Sequence, residues 1–418
     1  MAEQAGIGRL PGGANILWEH VESSLTCSLG FFFATGSRYD PPGKAGTAHL
    51  VEHLVFKGTR NHSAASLARL VDRVGGDLNA WTDREEMAFT CSVPAEAWQT
   101  AVEALCELCL HPTFPADEFD REKEVIRNEI LAGLEDPEEL SYDCFLQNIS
   151  PGDWSRPVAG TENSLASITL RDAQDWWRRL GGTGKLTVCV SGGVEPQKII
   201  DALSVRFAVP AAEFPVPAPA GFAPITRQWV QKADFQMVQV ITGFRLPVPS
   251  TPREAAVWQI FSMLWGETMS SRLFQSIRER RGLCYSVTSQ VFDAATAWGL
   301  QVFVSCAPEN TKAVLEVLRE EIDGLRALPP SADEWDDARR ALKGGGVLAA
   351  ERTENRVGRL WRQYQLFGAA QGFEEALRVL DEPILPEEAE RVLAALTNPS
   401  LLVWGRVPRG IRLEAAVS

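Results

Sequence analysis

Gly46-Thr-Ala-His-Leu-Val-Glu-His-Leu-Val-Phe-Lys-Gly58 places His49 and His53 four positions apart, with Glu52 directly before the second. On a helix, positions i and i+4 share one face, so two neutral imidazoles there can reach a single metal ion. Glu52 follows His49 by three and borders that face. Its carboxylate is placed to take the proton of a metal-bound water as a peptide carbonyl is attacked. The order His-x-x-Glu-His inverts the commoner His-Glu-x-x-His zinc helix. The chain has only five histidines, His20, His49, His53, His62 and His111. Two of the five at this spacing, around a glutamate, favour a metal site over a helix with two satisfied ring nitrogens. His62 and His111 read as structural.

Two imidazoles need a third ligand. Phe119-Asp-Arg-Glu-Lys-Glu-Val-Ile-Arg-Asn-Glu-Ile130 reads as a charged amphipathic helix. Glu122 and Glu129, seven apart, lie two turns apart on one of its faces. Taken alone, they read by default as a solvated acidic face.

The two stretches together resemble the pitrilysin family of inverted-motif zinc metallopeptidases, in the short-chain bacterial branch similar to mitochondrial processing peptidase. In that family the motif is followed by a ligand glutamate that closes a segment like Glu-Arg-x-Val-Ile-x-x-Glu. The segment here is Glu122-Lys-Glu-Val-Ile-Arg-Asn-Glu129, and Glu129 lies 76 positions after His53. The resemblance implies one zinc ion per chain, with His49, His53 and Glu129 as ligands and Glu52 as general base. It implies that Glu122 is a carboxylate behind the ligands that orients one of them or tunes the metal.

Two further segments share the resemblance. Asp77 to Val93 reads from its residues as a strand, turn and strand. Gly75-Gly-Asp-Leu-Asn-Ala-Trp-Thr82 looks like the family's substrate-binding edge strand, where a peptide adds as an extra strand beside Asn79, Ala80 and Trp81. Ser270-Ser-Arg-Leu-Phe-Gln-Ser-Ile-Arg-Glu-Arg-Arg-Gly-Leu-Cys-Tyr-Ser-Val287 reads as a helix, a glycine stop and a strand, its basic end complementing the helix dipole. It is similar to a family segment whose Arg and Tyr, seven apart, contact substrate carbonyls; the matching residues are Arg278 and Tyr285. A guanidinium and a phenol both donate to carbonyl oxygens.

With 418 residues, 45% of them hydrophobic, the chain has ample material for two cored domains. A formal net charge of −14 argues against non-specific binding to nucleic acid or anionic membranes. The start has no basic and apolar leader pattern, and no stretch approaches the ~20 apolar residues of a membrane helix; a cytoplasmic protein is expected. Eight scattered cysteines imply no disulfide framework. Cys106-Glu-Leu-Cys109 sits in an amphipathic helix, without a second such pair, and reads as helix core.

Five prolines within 209–224 prevent a helix and mark a linker. The expected organisation is an N-terminal zinc-binding domain at 1–208, the linker, and a C-terminal homologous domain at 225–418 that carries Arg278 and Tyr285. The halves align: Pro94 to Phe119 lines up with Pro308 to Trp335, which sets Glu129 opposite Gly345, and the second half has no histidine. Residues 133–165 read as loop-rich, and Gly344-Gly345-Gly346 as a kink or break in a helix. The fold class is α+β, two homologous domains each made of an antiparallel sheet packed with helices.

The expected function is a zinc-dependent endopeptidase acting on peptides or flexible polypeptide segments. The resemblance implies a clam-shell chamber and a homodimer, or a heterodimer with a related subunit. Of the alternatives, a non-catalytic assembly subunit has no need for His49, Glu52, His53, Glu129, Arg278 and Tyr285 together. One subunit of a heterodimeric processing peptidase stays open, as do the substrate and the cleavage preference.

Overall fold

Short β-rich runs alternate with amphipathic helices, and the strands collect into two sheets. The structure, a computed structural model, describes residues 4–150, 152–182, 186–207, 225–411 and 413; the linker expected at 209–224 lies outside the described residues. The first sheet comprises β1 (Gln4–Arg9), β2 (Asn15–His20), β3 (Thr26–Phe33), β4 (Asp77–Thr82), β5 (Met87–Pro94) and β6 (Leu186–Gly192), in the spatial order β1-β2-β6-β3-β5-β4. The second comprises β7 (Gln228–Lys232), β8 (Val238–Leu246), β9 (Cys284–Asp293), β10 (Trp298–Cys306) and β11 (Ser400–Gly405), in the order β7-β11-β8-β10-β9.

Apart from β1, the two plans are the same. Taken in chain order, β2 to β6 occupy the places of β7 to β11. Directions agree as well: β2 and β6 are parallel, β11 and β7 are parallel, and the other neighbours are antiparallel. The class is α+β, with one amendment to the expected antiparallel sheets: each contains one parallel pair. In both sheets that pair joins the first and last strands of the repeated unit, and the intervening chain supplies the long crossover that parallel pairing requires. The helices repeat too. Phe119 and Trp335 are each the fourth residue of the helices Ala116–Gly133 and Ala332–Ala350, and both are buried; Glu129 and Gly345 are each the fourteenth.

Packing does not follow the two halves of the chain. One compact unit is Met1–Ala132, Arg156–Ala220 and Leu348–Ala376; the other is Gly133–Ser155, Gly221–Val347 and Leu377–Ser418. In the first unit, alternation along β3 sends Leu29, Phe31 and Phe33 into one core with Leu50, Val51 and Leu54 of the helix Thr47–Val55. Phe32 goes to the opposite face, under the helix Thr353–Phe367, and stacks on Trp361 with ring centroids 5.2 Å apart. A Cβ at Gly30 would lie 2.8 Å from Val357, so glycine is what lets this helix approach. Glu19, its side chain fully buried, meets Arg356 at 3.3 Å and Arg359 at 2.8 Å and accepts from the Phe373 N–H at 2.5 Å, pinning the segment.

The second unit repeats the device. The helix Pro137–Ile149 covers its sheet, where Phe145 would lie 2.7 Å from a Cβ at Gly243. Cys144, Phe145, Leu146 and Ile149 share a core with Ile241, Leu402 and Trp404. This helix corrects the loop-rich reading of 133–165. Asp136 accepts from the N–H groups of Glu138 and Glu139 and Pro137 occupies the first turn, a strong start signal.

The three glycines cause no break, because the helix Ala332–Ala350 runs through them. A Cβ at Gly344 or Gly345 would meet nothing within 4 Å. Gly345→Ala is therefore expected to stabilise the helix by about 0.8–1 kcal/mol, read as a higher melting temperature; a lower one would reveal a contact at that position. Cys106 and Cys109 are buried and unpaired, and burial pushes the Cys106 thiol up to about 12, consistent with core packing. No helix among the described residues is long and apolar enough to cross a membrane.

Candidate metal centre

The motif helix is fixed from both ends. Its N-terminus follows Gly46, at φ +94°, where a Cβ would lie 2.5 Å from the Ala159 carbonyl oxygen. The cap comes from a residue outside the helix. Buried Asp40 accepts from the N–H groups of Gly46 at 2.8 Å, Thr47 at 3.1 Å and Ala48 at 2.9 Å. Burial pushes the Asp40 carboxyl up to about 7, against the pull of those three donors and of Arg156. Arg156 donates to the carbonyls of Asp40 at 2.8 Å and Arg38 at 3.1 Å, which steadies this turn. Beyond the helix, Gly58 accepts from Thr113 N–H and Oγ1, each at 3.0 Å.

His49, His53 and Glu129 converge. One donor atom from each lies within 4.8 Å of the others. Glu129 Oε2 is 3.8 Å from His49 Nε2 and 3.6 Å from His53 Nε2. Bonds of ~2.0–2.1 Å to a tetrahedral zinc would bring donors to about 3.4 Å apart, close to these separations. Burial, then the neighbouring His53, pushes the His49 imidazole down to about 4, so the ring is neutral at pH 7, the form that ligates. Its Nδ1 is buried with no hydrogen-bond partner among the described residues. The donor set therefore fits zinc.

Glu122, its side chain 5% exposed, sits behind the pair, with Oε2 3.1 Å from His53 Nδ1 and Oε1 2.7 Å from Lys57 Nζ. Glu52 is beside the cluster and is held by the Thr82 hydroxyl, which donates to its Oε2 at 2.5 Å. Burial pushes the Glu52 carboxyl up; Thr82 and His53 pull it down, and Glu129 pushes it up again.

Asn79, Ala80 and Trp81 lie on β4, the last strand of the first sheet, which pairs with β5 and with no other described strand. The Trp81 indole donates to Glu86 at 3.0 Å. Arg278 and Tyr285 belong to the other unit. Arg278 is exposed in the wide helical turn Phe274–Glu279, its guanidinium 4.8 Å from the Phe274 ring centre. Tyr285 is 78% exposed near the start of β9, an edge strand.

Sequence reasoning missed Asp40, Lys57 and Thr82 as site residues. Lys57 and Thr82 stand inside the quoted motifs, at Lys57-Gly58 and as the final threonine of the edge-strand segment. Asp40 had no such signal, since caps are sought directly before a helix and this one is six positions before Gly46.

A strand plan used twice, with a two-imidazole, one-carboxylate cluster in the first copy and no histidine in the second, defines a duplicated α+β protein with one candidate metal centre among the described residues. The chain belongs to peptidase family M16: residues 15–150 match Insulinase (Peptidase family M16), and residues 167–342 match the Peptidase M16 inactive domain. The resemblance read from the motifs is borne out. An uncharacterized zinc protease of Mycobacterium leprae is 30% identical over 95% of this chain and 91% of its own length. One from Streptomyces coelicolor is 29% identical over 98% and 92%. Among solved structures, a peptidase M16 inactive domain from Pseudomonas fluorescens matches with a TM-score of 0.86 at 17% identity, covering 97% of this chain and 98% of that one. A protease from Helicobacter pylori matches at 0.85 and 19%, covering 97% and 100%. These likenesses establish the fold.

Proposed function

We propose that this chain is a zinc-dependent endopeptidase acting on peptides or flexible polypeptide segments. The observation that carries the reading is the convergence of His49, His53 and Glu129 donors within 4.8 Å beside a half-buried Glu52 oriented by Thr82. Zinc bound there would supply Lewis acidity toward the scissile carbonyl and lower the pKa of its water. Glu52 takes the proton of the attacking water and returns it to the leaving amine. Thr82 fixes the carboxylate through one oxygen and leaves the other for the proton. Glu122 sets the tautomer of His53 by accepting from Nδ1, which turns Nε2 toward Glu129. The outer edge of β4, unpaired among the described strands, gives an extended substrate main-chain partners at Asn79, Ala80 and Trp81 once the Ala80 N–H leaves Asn79 Oδ1, to which it donates at 2.9 Å. Arg278 and Tyr285 donate to substrate carbonyls. The partners proposed are a peptide substrate and a second copy of the chain, the latter from the family resemblance, and the compartment proposed is the cytoplasm.

Thr82→Val removes the hydroxyl but keeps the branched shape of an edge-strand residue. It is expected to lower kcat roughly ten- to a hundredfold with KM and zinc content unchanged, and Thr82→Ser is expected to restore most of the rate. A Val variant with wild-type kcat would remove Thr82 from this account.

The test of function is cleavage of quenched, flexible peptides by purified chain, before and after chelation, with zinc added back. Zinc-dependent, restorable cleavage is expected. A chain that binds zinc yet cleaves no member of a broad peptide library would favour the reading as one subunit of a two-subunit peptidase.

A further inference from the structure

We propose that Lys57 is a positioning residue for the metal centre, acting through Glu122 on His53; the proposal rests on the zinc reading above. The structure presents one continuous line of contacts. Lys57 Nζ is 2.7 Å from Glu122 Oε1, and Glu122 Oε2 is 3.1 Å from His53 Nδ1. His53 Nε2 in turn faces Glu129 Oε2 at 3.6 Å. Each oxygen of the Glu122 carboxylate thus has one cationic or ring-nitrogen partner, and little water reaches either.

An exposed lysine–glutamate pair contributes almost nothing, and this pair differs from that case in two respects. Glu122 is 4% exposed as a residue, so losing Lys57 would leave its Oε1 without that partner in a poorly hydrated place. The Lys57 side chain is also mostly covered, 29% exposed, and its backbone is tied down. Its N–H closes onto the Leu54 carbonyl at 3.1 Å, just past the motif helix, and the next residue, Gly58, is tied to Thr113.

Without the ammonium, the favourable response of Glu122 is to rotate toward water. That withdraws Oε2 from Nδ1 and frees the His53 ring to change tautomer or orientation. With it, the ring is held with its proton on Nδ1 and its lone pair on Nε2.

Zinc affinity of the purified full chain, by competition against a chromogenic chelator, tests the proposal without any peptide. Lys57→Met and Lys57→Gln are expected to weaken zinc binding about tenfold, and Lys57→Arg is expected to stay near wild type. Combined with Glu122→Gln, Lys57→Met is expected to add no further loss, because the two residues act in series. Melting temperatures of the zinc-free proteins, expected within a few degrees of wild type, separate loss of affinity from loss of fold. Wild-type affinity in both neutral variants would overturn the role of Lys57, as would a loss that adds in full to that of Glu122→Gln. A wild-type chain that binds no zinc would instead overturn the metal reading itself.

Discussion

Replacing Glu52 by Gln is expected to leave the zinc content unchanged and to lower kcat/KM by roughly 10²–10⁴-fold, the usual worth of a positioned general base. Both halves of the expectation come from the geometry. Glu52 is not one of the converging donors, which are His49, His53 and Glu129. A glutamine keeps the shape of the side chain and can still accept from Thr82 through its amide oxygen, where the hydroxyl now donates at 2.5 Å. It cannot take a proton from water. Metal analysis and cleavage of the same sample check the prediction. A variant that cleaves like wild type would show that Glu52 is not the base, and one that loses its zinc would show that it is a ligand.

His49→Ala is expected to weaken zinc binding by more than a hundredfold and to abolish cleavage with it, since two of three donors remain. The zinc-free protein should behave differently. His49 Nδ1 is buried and has no hydrogen-bond partner among the described residues, so the substitution removes ring packing together with an unsatisfied polar atom. The zinc-free variant should melt near zinc-free wild type. Zinc should raise the melting temperature of wild type and leave that of the variant unmoved, because a ligand stabilises only the state that binds it. Thermal melts with and without excess zinc read this directly. A variant that still gains stability from zinc would place the ion elsewhere.

How far these residues could be read in advance differed from one to the next. His49, Glu52 and His53 were legible because helical periodicity is local: three residue types within five positions fix one face. Glu129 was not separable from an ordinary acidic helix face by periodicity, and the family resemblance was needed to choose it. Glu122 had the same ambiguity, which burial against His53 and Lys57 resolves.

The duplicated plan was visible in the alignment of Phe119 with Trp335, and the repeated strand order bears it out. The exchange of segments was not visible. The helix Pro137–Ile149 lies in a stretch, 133–165, that reads as loop-rich, and no helix is read from the sequence over Thr353–Phe367; even a recognised apolar stripe does not say which sheet covers it. Gly30 and Gly243, the small residues beneath the two helices, acquire their meaning only once Val357 and Phe145 are seen above them. The parallel pairs escaped for a similar reason. Strands such as β2 and β6, separated by most of a domain, carry no local mark of their partnership.

Anomalous diffraction at the zinc absorption edge, from crystals of the zinc-loaded chain, tests the central claim most directly. Expected is one strong peak per chain, within bonding distance of the imidazole nitrogens of His49 and His53 and a carboxylate oxygen of Glu129, and unchanged in Glu52→Gln. A peak at another group of residues, or none in a chain that takes up zinc in solution, would contradict it.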